Sequence, residues 1–108
     1  MIQRVHFIET SIFTKQILTL LDDNEFRGLQ VALTVNPEAG DLIRGSGGLR
    51  KIRWATKGKG KSGGIRVIYY LIEDDEIYLL FAYPKSKQGD LTSEQLKVLK
   101  QCVQEELQ

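Results

Sequence analysis

The stretch that decides the fold spans residues 65–83 and reads IRVIYYLIEDDEIYLLFAY. Two runs of β-branched, aromatic and other apolar residues, Ile65–Ile72 and Ile77–Tyr83, flank the acidic turn Glu73–Glu76. This pattern predicts two antiparallel strands joined by a tight turn. The first run is almost continuously apolar, which is typical of a central strand that helices cover on at least one face.

Hydrophobic periodicity and capping residues predict the other elements. In chain order they are a strand at Ile2–Ile8, a helix beginning after Thr10 or Ser11, a helix from the Asp22–Glu25 capping box to Asn36-Pro37, a glycine-rich loop at Glu38–Gly48, a strand at Leu49–Trp54 and a C-terminal helix capped at Thr92–Gln95. We therefore expect an α+β fold of order β-α-α-β-β-β-α, with a twisted antiparallel sheet, two N-terminal helices and a C-terminal helix. The length of 108 residues and the hydrophobic content of 42% favour one domain, residues 1–108.

Several classes of protein and site are disfavoured. No apolar run approaches the roughly 20 residues of a membrane span, and MIQRVHFIET resembles an amphipathic strand rather than a signal peptide, so we expect a cytoplasmic protein without a membrane partner. The single histidine, His6, cannot build a multi-imidazole metal site. Cys102, the single cysteine, falls on the apolar stripe of a helix, which favours a buried structural thiol. We expect neither a metal nor a cofactor.

Charge is strongly segregated along the chain. The window from Leu42 to Ile72 contains no acid and eight bases: Arg44, Arg50, Lys51, Arg53, Lys57, Lys59, Lys61 and Arg66. Subtracting these eight from the 15 Lys and Arg leaves seven bases against all 14 Asp and Glu, so a window of +8 accompanies a remainder of −7. A protein that gathers cations in this way usually presents them to phosphates.

Three cations in the window occupy predicted strands. Alternation in Leu49–Trp54 places Lys51 and Arg53 together on the face opposite Ile52 and Trp54. Arg66 is a permanent charge in an otherwise apolar strand. It could be a structural ion pair or an edge residue, but its local sequence offers no acid, which favours an anionic ligand.

Residues 55–62, ATKGKGKS, match a relaxed phosphate-loop pattern. A phosphate loop leads from a strand into a helix, whereas Ser62 is followed by two glycines and a strand, which argues against nucleotide hydrolysis. The stretch is better interpreted as a basic hairpin loop whose lysines, Lys57, Lys59 and Lys61, follow a phosphate backbone.

The segments at 47–53, 57–70 and 83–87, together with the order of elements, closely resemble the RelE superfamily of bacterial toxins and its HigB-like branch. The resemblance covers nearly the whole chain. It implies a toxin that enters the ribosomal A site and cleaves messenger RNA without a metal or cofactor. It also implies inhibition by a cognate antitoxin, which would be HigA-like and carry a DNA-binding helix-turn-helix domain. The toxin would contact operator DNA only through this antitoxin.

By this resemblance, Arg66 binds the scissile phosphate, Lys51 and Arg53 match two basic residues of the second strand, and Lys85 matches a further basic residue after the last strand. We expect Lys57 and Tyr83 to complete the catalytic set. RNA-binding residues would be Lys51, Arg53, Lys59, Lys61, Arg50 and Lys87. A C-terminal tyrosine of the best-known members is replaced by Leu91, which leaves proton transfer to Tyr83, Tyr70 or a loop lysine. Two alternatives stay open: a gyrase inhibitor of the ParE type and a non-catalytic module that binds RNA or the ribosome.

Overall fold

The computed structural model describes residues 4–56, 64–73 and 75–107. These residues confirm the α+β class. The elements, in chain order, are β1 (His6–Glu9), α1 (Ser11–Leu20), α2 (Asp23–Val35), β2 (Asp41–Leu42), β3 (Leu49–Trp54), β4 (Ile65–Glu73), β5 (Glu76–Pro84) and α3 (Ser93–Glu106).

The strands form one sheet in the order β1-β5-β4-β3-β2. β4 is central, as its continuous apolar sequence predicted. The expectation of a purely antiparallel sheet is wrong, because β1 pairs with β5 in parallel, His6 opposite Glu76 and Glu9 opposite Leu79. The helices α1 and α2 connect β1 at one edge of the sheet to β2 at the other, so the direction of β1 depends on a pairing distant in sequence.

The segment predicted as a loop at Glu38–Gly48 contains the two-residue strand β2, where Asp41 pairs with Lys51. Two residues are too short to produce a periodic signal. The turn from β2 to β3 is still built on glycine. Gly48 has φ +115°, and a Cβ there would lie 2.9 Å from Cε1 of Tyr70. The turn therefore favours glycine, which has no Cβ, at this position.

Helix boundaries agree with the predicted caps. The Thr10 hydroxyl accepts a hydrogen bond from the Phe13 N–H at 3.0 Å, and α2 ends at Val35, before Asn36-Pro37. The helices α2 and α3 both begin with complete capping boxes, Asp22 with Glu25 and Thr92 with Gln95. The first strand is shorter than predicted, beginning at His6, and residues 1–3 lie outside the described part.

Both faces of the sheet are covered. The helices α1 and α2 bury one face, whose core includes Phe13, Leu29, Leu33, Val67 and Tyr69. The helix α3 packs on the other, the α3 face, whose core includes Leu49, Ile68, Leu80, Tyr83, Leu99 and Val103. Cys102, which was predicted to be buried, is half-buried and packs against this second core. Among the described residues, no helix is both long and apolar enough to cross a membrane.

Candidate active site

Three predicted site residues form a row across the sheet. Arg66 on β4 lies directly opposite Arg53 on β3 and opposite Tyr83 on β5. Alternation along the strands puts the row on the α3 face, because Arg66 shares the side of Ile68, and Arg53 the side of Leu49. We call Arg53, Arg66 and Tyr83 the cross-strand row.

Arg66 is buried, with 6% of its surface exposed, and its Nη1 donates a hydrogen bond to the Ile65 carbonyl at 3.2 Å. Arg53, its cross-strand neighbour, is exposed. Like charges directly opposite on neighbouring strands destabilise the pairing. The row therefore places two cations side by side on the α3 face.

Lys51 lies two residues before Arg53 on the same face of β3. Its Nζ contacts Oδ1 of Asp90 at 2.7 Å, and Asp90 lies between β5 and the N-cap of α3. Sequence reasoning missed Asp90, because the two partners are 39 positions apart and no local pattern links them. An exposed carboxylate beside the row thus holds the Lys51 ammonium in place.

Electrostatics link Asp90 and Tyr83 to the cations. The hydrogen bond and charge of Lys51 lower the pKa of Asp90, and Arg66 adds to the decrease. Burial raises the pKa of Tyr83; the Asp90 charge raises it further, while Arg66 opposes the rise. At neutral pH, Asp90 is consequently a carboxylate and Tyr83 a neutral phenol that can donate a hydrogen bond.

Arg50 does not join this face. It alternates to the opposite side of β3, where its Nη1 donates to the carbonyls of Gly40 at 2.8 Å and Glu38 at 3.2 Å. Its Nη2 lies 3.7 Å from a Glu38 carboxylate oxygen. Arg50 therefore anchors the segment before β2, and the structure separates it from Lys51 and Arg53.

Lys85 and Lys87 follow β5 and are exposed. The Lys85 N–H donates to the Gly64 carbonyl at 3.0 Å, which ties the end of β5 to the start of β4. Leu91 and Tyr70 both pack against the core of the α3 face. The predicted contributions of Lys57, Lys59 and Lys61 lie outside the described residues.

The chain matches the model of a known protein family. The family model described as the RelE toxin of the RelE/RelB toxin–antitoxin system matches residues 14–108. The match includes the cross-strand row, Lys51 and Asp90, and it runs from within α1 to beyond the end of α3.

Proposed function

We propose that this chain is an endoribonuclease that cleaves messenger RNA in the ribosomal A site. The chain belongs to the RelE toxin family, whose members are the toxins of toxin–antitoxin pairs. The observation that carries this proposal is the pairing of Arg53 with the buried Arg66 beside the neutral phenol of Tyr83. The phosphates of RNA carry the charge that matches these two cations.

A phosphodiester suits the row in both shape and charge. A guanidinium presents paired N–H donors that match two phosphate oxygens, and a rigid central strand holds the Arg66 backbone in place. Arg53 and Lys51 lie along the neighbouring strand, so they would contact flanking phosphates. Arg66 is assigned to the scissile phosphate because it is central and buried, where electrostatic stabilisation of a developing charge is strongest.

The bond-making and bond-breaking steps we propose use groups of the RNA and of this chain, acting on messenger RNA that the ribosome holds. The ribose 2′-oxygen attacks the adjacent phosphorus, the 2′ proton passes to a base, and the bond from phosphorus to the 5′-oxygen breaks. The leaving 5′-oxygen takes a proton, which gives a 2′,3′-cyclic phosphate and a 5′-hydroxyl. Lys57 or Lys85 would assist proton transfer, and Arg66 would stabilise the charge on the phosphoryl oxygens.

Tyr83 and Asp90 take supporting roles in this proposal. Since burial raises the pKa of Tyr83, its hydroxyl stays protonated and acts as a hydrogen-bond donor rather than as a base. In the structure this hydroxyl donates to the Gly89 carbonyl at 3.5 Å, and it would exchange that long bond for one to a phosphate oxygen. Asp90 orients the Lys51 ammonium through their 2.7 Å contact. Asp90 is thus a positioning residue, and its negative charge also limits the net attraction of the face for anions.

The partners follow from the same proposal. The toxin would act in the cytoplasm on the 70S ribosome and its messenger RNA. It would be neutralised by a HigA-like antitoxin with a helix-turn-helix domain and would reach operator DNA only through it. Membership of the HigB-like branch remains a prediction that rests on the sequence segments at 47–53, 57–70 and 83–87.

The decisive experiment maps cleavage on defined messengers. Purified protein is added to ribosomes that hold a start codon and a chosen A-site codon, and new 5′ ends are located by primer extension. We expect cuts within the A-site codon, no cuts on the same RNA without ribosomes, and 2′,3′-cyclic phosphate ends.

Two outcomes would contradict the proposal. Binding to ribosomes without new 5′ ends would favour a non-catalytic module. Intact messenger together with loss of gyrase supercoiling activity would favour a toxin of the ParE type. The Arg66→Ala protein serves as the negative control in each assay.

A further inference from the structure

One flank of α3 carries two lysines beside the candidate active site. Lys97 and Lys100 are three positions apart, so they are neighbours on the helix surface. The six described residues that border the open depression on this flank include both lysines and no acid. Glu94, the acid of the first helical turn, borders the cavity on the other flank. The first half of α3 therefore carries its lysines and its glutamate on different sides.

Two contacts place the lysine flank beside β3 and the turn that precedes it. Lys100 Nζ donates to the Gly45 carbonyl at 3.1 Å, and Arg44, the residue before Gly45, is exposed. Toward the start of the helix, Lys51 Nζ lies 2.7 Å from Oδ1 of Asp90, which is two residues before the N-cap. The flank therefore runs from the neighbourhood of Lys51 to the turn that carries Arg44. We call Arg44, Lys97 and Lys100 the cationic extension.

The cationic extension continues the line of cations on β3. Arg53 and Lys51 are two residues apart on the same face of β3, about 6.8 Å along the strand. Lys97 is five residues beyond the Thr92 N-cap, about 7.5 Å along the helix, and Lys100 is almost one turn further. The cations thus lead away from the cross-strand row in short steps along one side of the molecule.

Positive charge predominates along this line. Two carboxylates adjoin it: Asp90, and Asp41, which is paired with Lys51 across β2 and β3. The three members of the cationic extension, Lys51 and the two arginines of the cross-strand row give six cations against these two acids. Among the described residues, none of the large apolar side chains that are exposed is aromatic, so this surface offers phosphate contacts without a platform for stacked bases.

We propose that the cationic extension holds the sugar–phosphate backbone of the messenger RNA that continues beyond the scissile phosphate. The inference rests on the proposed cleavage function, which places the messenger on Arg66. Continuity with Lys51 favours the messenger over ribosomal RNA, because the strand that occupies the cross-strand row reaches α3 directly. A positively charged groove follows the backbone of a single strand, and contacts to phosphates carry no sequence information. The extension therefore adds affinity without adding codon preference.

The test variant combines Lys97→Glu and Arg44→Glu, since both side chains are exposed. Lys100 is left unchanged, because its contact with the turn supports the fold. The control variant combines Lys15→Glu and Arg27→Glu, which replace an exposed lysine and an exposed arginine on α1 and α2. Both variants change the net charge equally, and thermal unfolding verifies that both are folded.

Each protein is titrated against ribosomes programmed with one of two messengers, which either end at the A-site codon or continue beyond it. The messenger is free only on the 3′ side of this codon, because the preceding codon pairs with the P-site transfer RNA. The A-site codon carries 2′-deoxyribose, so the messenger stays intact. We expect the test variant to bind the longer complex roughly fivefold or more weakly than the parental protein does, and the shorter complex within twofold. The control variant should bind both within twofold.

Three results would overturn the inference. Equal weakening on the two messengers would assign the extension to ribosomal RNA. Equal behaviour of the test and control variants would leave Lys97 and Arg44 as ordinary solvated charges. Weakening that depended on the sequence beyond the A-site codon would show contacts to bases rather than to the backbone.

Cleavage of an all-ribose messenger by the parental protein is measured in parallel. Absence of cleavage would refute the proposed enzyme. The titrations with the deoxyribose codon measure binding alone, so they would still decide whether the cationic extension holds the messenger.

Discussion

At the scale of single residues, the site depends on which side chains alternate to the α3 face. The sequence predicted that Lys51 and Arg53 would share a face, and the register brings Arg66 and Tyr83 to it. Asp90 could not be predicted, because its contact with Lys51 exists only once the segment after β5 folds back over β3. Arg50 directly precedes Lys51 on β3, and because successive side chains of a strand point to opposite faces of the sheet, Arg50 lies on the other face.

Arg66 provides the first prediction. Replacing it with Ala removes a phosphate donor held by the central strand, and we expect cleavage to fall roughly a hundredfold or more, equivalent to about 3 kcal/mol. Arg66→Lys keeps the charge but not the paired donors, so it should recover only a small part of the rate. Single-turnover cleavage on programmed ribosomes measures both variants.

Thermal unfolding of the same proteins is the control. A structural role for Arg66 would lower the melting temperature and reduce ribosome binding and cleavage together. A folded Arg66→Ala protein that cuts at the parental rate would remove Arg66 from the catalytic centre.

Tyr83 provides a prediction about pH. Burial raises the pKa of Tyr83 above its ordinary value of 10.0, so the phenol is protonated at every pH below 10.0. Any folding free energy that depends on the neutral phenol is therefore lost only as the pH rises through the raised pKa. We expect Tyr83→Phe to lower the cleavage rate roughly tenfold or more by a constant factor between about pH 6 and 9. The parental cleavage rate could instead change with pH at the basic end of this range, and that change could be absent in Tyr83→Phe. The phenol would then be titrating, and our assignment would be wrong.

At the scale of elements, local sequence patterns correctly predicted the helix ends, because hydrogen bonds between residues close in sequence stabilise them. Thr10, Asp22 and Thr92 cap their helices as expected, since each bond joins residues three positions apart. The parallel pairing of β1 with β5 and the short strand β2 escaped prediction, because both depend on partners that the local pattern does not contain. The turn between β2 and β3 combines a local signal, its glycines, with a tertiary contact at Tyr70.

That turn offers a matched pair of substitutions. Gly45 and Gly48 both have positive φ, but a Cβ on Gly45 would meet nothing within 4 Å, whereas one on Gly48 would lie 2.9 Å from the Tyr70 ring. We expect Gly45→Ala to cost roughly 1–2 kcal/mol in the free energy of unfolding. Gly48→Ala should cost clearly more, because Tyr70 must also move, and urea denaturation measures both. Equal losses of unfolding free energy in the two variants would show that the positive φ, and not contact with Tyr70, makes each substitution unfavourable.

At the scale of the whole molecule, α3 separates two surfaces of opposite character. One flank borders an apolar cavity whose lining includes Glu94, Val98 and Cys102, and Lys97 and Lys100 lie on the other, where Lys100 Nζ donates to the Gly45 carbonyl at 3.1 Å. Lys97 and Lys100 lie outside the basic window at 42–72, so this flank of α3 adds to the cations that the window supplies.

The last prediction tests whether the location of the cations, rather than net charge, drives association with ribosomes. One double variant combines Lys59→Glu and Lys61→Glu, in the stretch that the sequence predicts as a basic hairpin loop. The control double variant combines Lys15→Glu and Arg27→Glu, on the exposed surfaces of α1 and α2. Both double variants change the net charge equally. If the loop follows a phosphate backbone, its variant should weaken ribosome binding and flatten the log-log salt dependence by about 0.7 to 0.9 units per lost contact, while the control pair keeps the parental slope. Sedimentation with ribosomes over a series of salt concentrations measures the slopes, and equal flattening in both pairs would show that only overall charge matters.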